Sequence, residues 1–154
     1  MYRKICVAVD GSPSSEEAVK TAAELASRFD ADLLIMHVIR PMKIPQELQK
    51  FIRDDDLLNI RYAALESVAQ EIVSKAVKTA EGYALERLQT SILNGDPATM
   101  IIEEARDKFA DLIVMGTRGL GKLEGAVIGS ISRKVAEVSE LNLLIVKQPV
   151  RTAL

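Results

Sequence analysis

Cysteine, histidine and aromatic residues are scarce in this 154-residue chain, and each shortage excludes a class of chemistry. A lone cysteine, Cys6, cannot form an intramolecular disulfide or a thiolate zinc cluster, so the sequence reads as that of a protein kept in a reducing, cytoplasmic compartment. A lone histidine, His37, rules out a multi-histidine metal centre. Tryptophan is absent and aromatics make up 4%, which leaves no stacking platform for single-stranded nucleic acid or for sugars. Charge of one sign is lacking too: 20 Lys and Arg against 22 Asp and Glu give a formal charge of -2, with no bulk field to attract nucleic acid or an anionic membrane. Long hydrophobic runs are missing as well. The apolar stretch after Met1 is interrupted at Asp10, too soon for a signal-sequence core or a membrane span.

What is present is regular alternation. Hydrophobic residues make up 48% and charged residues 27%, the composition of one ordinary domain over residues 1–154 with enough chain to bury a core. Lys4 to Val9 is a short Ile- and Val-rich run ended by Asp10-Gly11-Ser12-Pro13, the pattern of a buried strand. From Pro13 to Phe29, Ala18, Val19, Ala22, Leu25, Ala26 and Phe29 recur at helical spacing, with Ser14 and Glu17 in capping-box register. Asp32 to Ile39 is a near-continuous apolar run, as in a strand covered on both faces. Pro41 to Asp56 reads as a long connection with a turn of helix, and its Asp54-Asp55-Asp56 run as a solvated helix start, because adjacent helical side chains diverge. A long amphipathic helix is predicted from Leu57 to about Leu88 on the stripe Leu65, Val68, Ala69, Ile72, Val73, Ala76, Ala80 and Tyr83, weakened near its end by Gly82. Gln89 to Leu93 is a third strand, and Asp96 and Pro97 are N-cap and first residue of a helix reaching about Phe109. Leu112 to Met115 is a fourth strand, Ser130 to Glu140 a helix, and Leu143 to Val146 a fifth strand.

Strand–helix alternation of this kind specifies an α/β fold: a five-stranded parallel sheet with helices on both faces. Ligands of such sheets bind beyond the carboxyl ends of the strands where the winding reverses, which for the order 3-2-1-4-5 lies after the first and fourth strands. Asp10 occupies one of those places. A glycine-rich loop, Gly116 to Ile128, occupies the other, with four glycines in that stretch.

Glycines let backbone N–H groups approach an anion unobstructed, and Gly129-Ser130 opens a helix whose free N–H groups and dipole favour negative charge. Ser130 and Ser132 add hydroxyls there, and Arg118 and Lys122 add cations within reach of an outer phosphate. Composition alone fits equally a flexible surface loop ending in a glycine N-cap. Gly116-x4-Gly121-Lys122 has Walker A spacing, but Leu123 follows where a magnesium-binding hydroxyl is needed. A dinucleotide site needs G-x-G-x-x-G after the first strand, where Asp10-Gly11-Ser12-Pro13 stands instead. In a phosphoacceptor receiver domain the third strand ends in a carboxylate, and here it ends in Asn94-Gly95.

Gly116-Thr117-Arg118-Gly119, nine residues, then Gly129-Ser130 match the pattern G-x2-G-x9-G-[ST] at every position. The chain thereby resembles, from end to end, nucleotide-binding members of the universal stress protein family. Asp10-Gly11-Ser12, His37-Val38, Gly95-Asp96-Pro97 and Asp111-Leu112-Ile113-Val114-Met115-Gly116 extend the resemblance, while Leu141-Asn142 stands where the family often has a Cys-Pro pair. The resemblance implies a site for ATP, ADP or AMP. In it Ala8 and Val9 line the pocket, Asp10 meets the ribose or a metal, and the Val38 backbone meets the adenine edge. Met115, Gly116, Arg118 and Gly119 border ribose and phosphates, while Gly129, Ser130, Ile131 and Ser132 donate to the phosphates. Magnesium or manganese would bridge those phosphates.

The remaining singular residues read blandly: Cys6 as a buried small hydrophobe and His37 as a packed, hydrogen-bonded ring. No acid besides Glu124 stands near the glycine loop, and none is paired with a histidine, so no catalytic residue is assigned. A nucleotide-binding regulatory or stress-response module is therefore expected over the alternative, a slow ATPase or nucleotidyl-transfer enzyme. A chain that keeps the fold without nucleotide is a third reading, disfavoured by the intact glycine pattern. Leu143, Leu144, Ile145 and Val146 form an apolar edge strand that needs cover, and pairing with a second copy as a homodimer supplies it.

Overall fold

Lys4–Ala8 (β1), Asp32–Ile39 (β2), Leu88–Asn94 (β3), Leu112–Gly116 (β4) and Asn142–Val146 (β5) pair as one parallel sheet in the order β3-β2-β1-β4-β5. The computed structural model describes residues 1–41, 44–52, 55–117 and 128–149. Helices Pro13–Phe29 (α1), Gln46–Gln49 (α2), Asp55–Ala80 (α3), Pro97–Asp107 (α4) and Ser130–Val138 (α5) connect the strands. The expected fold class and strand order are the observed ones.

Side-chain alternation splits the core in two. Ile5 and Val7 of β1, Leu33 and Ile35 of β2 and Val114 of β4 face α1 and the second half of α3. Cys6, Leu34, Met36, Ile113 and Met115 face α4 and α5. Helix α1 meets the sheet through Ala18, Val19, Ala22, Ala23 and Ala26, all at most 1% exposed, and these short side chains let its axis lie close to β1 and β4. Burying each Leu, Ile or Val here contributes roughly 1.5–3 kcal/mol, so the sheet interior carries the stability of the fold.

Two helices depart from their sequence reading. The cap of α1 is Ser12, whose side chain accepts from the Ser15 N–H, and the Ser15 hydroxyl returns a bond to the Ser12 carbonyl at 3.0 Å. Ser14 and Glu17 do not form the expected box. Glu17 instead pairs with Lys20 at 2.8 Å. Helix α3 begins at Asp55 and stops at Ala80 rather than near Leu88, where Tyr83 N–H turns back onto the Ala80 carbonyl, and β3 starts at Leu88. The apolar stripe misled because Tyr83 and Leu85 still pack on the core from an irregular segment. Val68, assigned to the buried stripe, is 53% exposed, while Ala69, Val73, Ala76 and Ala80 are buried. Asp54 of the acidic run lies outside the described residues.

Helix α4 starts as expected: Asp96 accepts from the Thr99 N–H and Pro97 takes the first turn. Strand β5 lies at the sheet edge and is half-buried over Leu143–Val146.

Candidate functional site

The carboxyl ends of β1, β2 and β4 meet the N-termini of α1, α4 and α5 around a cavity of about 90 Å³. It lies on the α4/α5 face, at the point where β1 has neighbours on opposite sides and the crossovers diverge. That volume is well below the roughly 300 Å³ at the small end of ligand sites. Residues 118–127 follow Thr117 directly in the chain and lie outside the described residues. The expectations for Arg118 and Gly119, and for Lys122 and Glu124, fall there.

Ala8, Val9 and Asp10 form one wall, Val38 a second, Met115 and Gly116 a third, and Ile131 with Ser132 the fourth. Gly129 and Ser130 stand just outside this wall, as N-cap and first residue of α5. The cavity also takes Ser15, Met36, His37, Pro97 and Ile101, which the sequence reading did not place there. Strand parity and helix spacing held that signal: Met36 is two residues before Val38 on the same face, and Pro97 and Ile101 are one turn apart on α4.

At the turn after β1, Gly11 has φ +84°, a conformation suited to glycine, and the chain folds back so that the Ser12 N–H donates to Asp10 Oδ1 at 2.9 Å. One carboxylate oxygen is thus used to shape the turn. Among the described residues Asp10 is the only carboxylate in the cavity wall, and no group of three or more His, Cys, Asp or Glu could hold a metal ion.

The three helix starts differ in what they leave open. Ser12 and Asp96 cap α1 and α4 with their own side chains, whereas Gly129 leaves the first N–H groups of α5 without a side-chain cap. Asp96 is fixed further by the Thr99 hydroxyl and N–H and by Lys134 of α5, and these bonds hold its carboxyl down to about 2. The Ser132 hydroxyl donates to the Gly116 carbonyl at 2.9 Å and is buried. The Ser132 hydroxyl is thus engaged with the β4 end, while Ser130 at the first position of α5 is exposed.

Gly116 has a packing reason to be glycine. A Cβ there would lie 2.7 Å from the backbone carbon of Ser14 and 2.8 Å from its carbonyl oxygen. The Ser14 and Thr117 hydroxyls meet at 3.2 Å, and Thr117 N–H donates to the Val146 carbonyl at 3.0 Å. Gly129 N–H donates back to the Thr117 carbonyl, so both ends of the loop segment are fastened together beside α1. Cys6 is fully buried in β1 with its thiol pushed up to about 12 by burial, so it is no nucleophile at neutral pH.

A family model described as the universal stress protein family matches residues 1–147. Universal stress protein MJ0531 of Methanocaldococcus jannaschii is 34% identical over 151 residues, covering 97% of this chain and 84% of that protein. Universal stress protein UspA from Lactobacillus plantarum superposes with a TM-score of 0.81 at 24% identity, over 94% of this chain and 97% of that one. A universal stress protein solved in complex with cAMP gives a TM-score of 0.67 at 26% identity, over 96% of this chain and 98% of that one.

Proposed function

The chain belongs to the universal stress protein family, and on that premise we propose that it is a single-domain, cytoplasmic adenine-nucleotide-binding module acting in regulation or stress response. One observation carries the reading: Asp10, the Val38 backbone and the uncapped start of α5 converge on one apolar-walled cavity at the switch point of the sheet. The cAMP bound by a relative supports an adenine nucleotide as the occupant.

The roles follow from the chemistry of each wall. Met36, Ile101 and Met115 enclose the apolar faces of the base, and Val38 offers its backbone N–H and C=O to the adenine edge. Asp10 accepts from a ribose hydroxyl through the oxygen that the turn leaves over, between Ala8, Val9 and Gly116. The N–H groups of Ser130, Ile131 and Ser132 meet a phosphate at the helix start that Gly129 opens, where the dipole contributes about 0.3–1 kcal/mol. By the family resemblance Arg118 and Gly119 would meet the phosphates, and magnesium or manganese would supply charge neutralisation there. Two copies associate through Leu143, Leu144, Ile145 and Val146 of β5.

Binding is favoured over hydrolysis because, among the described residues, the one carboxylate of the wall, Asp10, is given to the ribose and the turn, and no cluster suited to a metal ion stands by to activate water. Chromatography of the nucleotides released on denaturing freshly purified protein identifies the ligand without assuming one. An adenine nucleotide in that fraction is expected, and a different nucleotide class would refute the assignment. Phosphate release at saturating ATP separates module from enzyme: turnover faster than about one per second would place the protein in the ordinary range of enzymes.

A further inference from the structure

His37 is a cavity residue for which the proposed function has no role, and among the described residues its ring makes one hydrogen-bond contact: Nδ1 lies 2.7 Å from the carbonyl oxygen of Val9. A carbonyl only accepts, so Nδ1 carries the hydrogen. This bond falls where the β1–β2 ladder ends. Asp32 N–H donates to the Arg3 carbonyl and Val9 N–H to the Met36 carbonyl, which sets the phase of the β1–β2 pairing. In a parallel ladder of that phase the backbone groups of even-numbered β2 residues point toward β1, and the next bond in sequence would run from Val38 N–H to the Val9 carbonyl. The pairing stops short of it, at Ala8 with Met36. The His37 ring holds the acceptor instead.

Resting on the nucleotide reading of the cavity, we propose that His37 is a positioning residue that keeps the Val38 amide out of the sheet, by holding the Val9 carbonyl, so that Val38 reads the base. An N–H and a C=O from one residue, turned the same way at a strand end, match adenine, which presents an acceptor at N1 beside a donor at N6. Hypoxanthine presents a donor and an acceptor in those places and is refused. The same bond fixes the carbonyl immediately before Asp10, so the base-reading and ribose-reading groups are set in one register.

Two measurements on the full chain test this, and they fail separately from the nucleotide assignment. Amide hydrogen exchange by NMR on ligand-free protein needs no ligand: in His37→Leu the Val9 carbonyl is released, and Val38 exchange should slow about tenfold or more relative to wild type. His37→Asn, which keeps a donor in the place of Nδ1, should exchange like wild type. An unchanged Val38 rate in a folded His37→Leu protein overturns the proposal, and His37→Val, suited to a strand, replaces it if His37→Leu does not fold. In calorimetric titrations, wild type and His37→Asn should prefer AMP over IMP by about tenfold, the worth of a hydrogen-bond pair, and His37→Leu should bind both within about twofold. Equal weakening toward AMP and IMP would mark a merely structural histidine and contradict the inference. A wild-type protein that binds neither overturns the nucleotide reading and leaves the exchange rates to decide the role of His37.

Discussion

Replacing Gly116 by alanine separates a glycine required by packing from one required by a ligand. The new Cβ would sit 2.7 Å from the Ser14 backbone carbon, where carbon atoms ordinarily keep about 3.5 Å or more, an overlap of roughly 0.8 Å. The Ser14 hydroxyl is met first, and swinging it away leaves the Ser14 carbonyl carbon and oxygen, backbone atoms in the first turn of α1, still in the way. That turn is held by the Ser14–Thr117 hydroxyl contact and by buried Ala18 and Val19 below it. Lifting α1 off β4 forfeits part of this packing, and overpacking of this kind costs about 2 kcal/mol. For a chain of this length the midpoint of thermal unfolding should fall by about 4–8 °C. Urea titration of ligand-free Gly116→Ala, followed by circular dichroism, reads the loss directly. Ser14→Ala in the same protein should not restore stability, since it removes the hydroxyl and leaves the backbone in place. A ligand-free Gly116→Ala protein as stable as wild type, or one rescued by Ser14→Ala, would refute the packing account and return the glycine to a purely ligand-facing role.

Three further outcomes are expected. The folded state keeps the Cys6 thiol protonated to about 12 while an unfolded chain ionises near 9.0. Below pH 9 both states hold the proton, so the contribution is fully present there; above it only the unfolded state releases one. Stability should then fall by about 1.4 kcal/mol per pH unit from 9 toward 12, and the difference in slope between wild type and Cys6→Ala in denaturant melts measures it, with equal slopes counting against the burial of the thiol. Phe109 ends α4 at φ +57° and is 87% exposed, so Phe109→Gly relieves the left-handed backbone without loss of packing; a gain of about 0.5–1 kcal/mol is expected in the same melts, and a loss would show that the ring is covered in solution. Light scattering on a sizing column should report twice the chain mass, reduced to one by Ile145→Pro, which breaks edge pairing of β5; a clean wild-type monomer at micromolar concentration contradicts the dimer.

Much of the fold was legible because its strands are short apolar runs bounded by turn residues. Asp10-Gly11 and Asn94-Gly95-Asp96-Pro97 punctuate the chain where β1 and β3 end, and alternation with helices left one topology. The end of α3 was not legible, since hydrophobic period cannot distinguish a last helical turn from an irregular segment that keeps Tyr83 and Leu85 on the core. Asp10, Val38 and Met115 could be placed at one site from the switch-point rule and the family resemblance. The commitment of the Ser132 hydroxyl to Gly116, the close approach of α1 to Gly116 and the bond from His37 to Val9 could not. Each depends on distances between elements far apart in sequence, and the His37 bond in addition on the phase of the β1–β2 ladder.

The central claim is that this cavity takes an adenine nucleotide, and calorimetric titration of the purified chain with ATP, ADP and AMP tests it most directly. The account predicts saturable binding of one nucleotide per chain, weakened about tenfold or more by Asp10→Ala through loss of a charged hydrogen bond to the ribose. Neither heat nor a thermal shift with any of the three at millimolar concentration would contradict it.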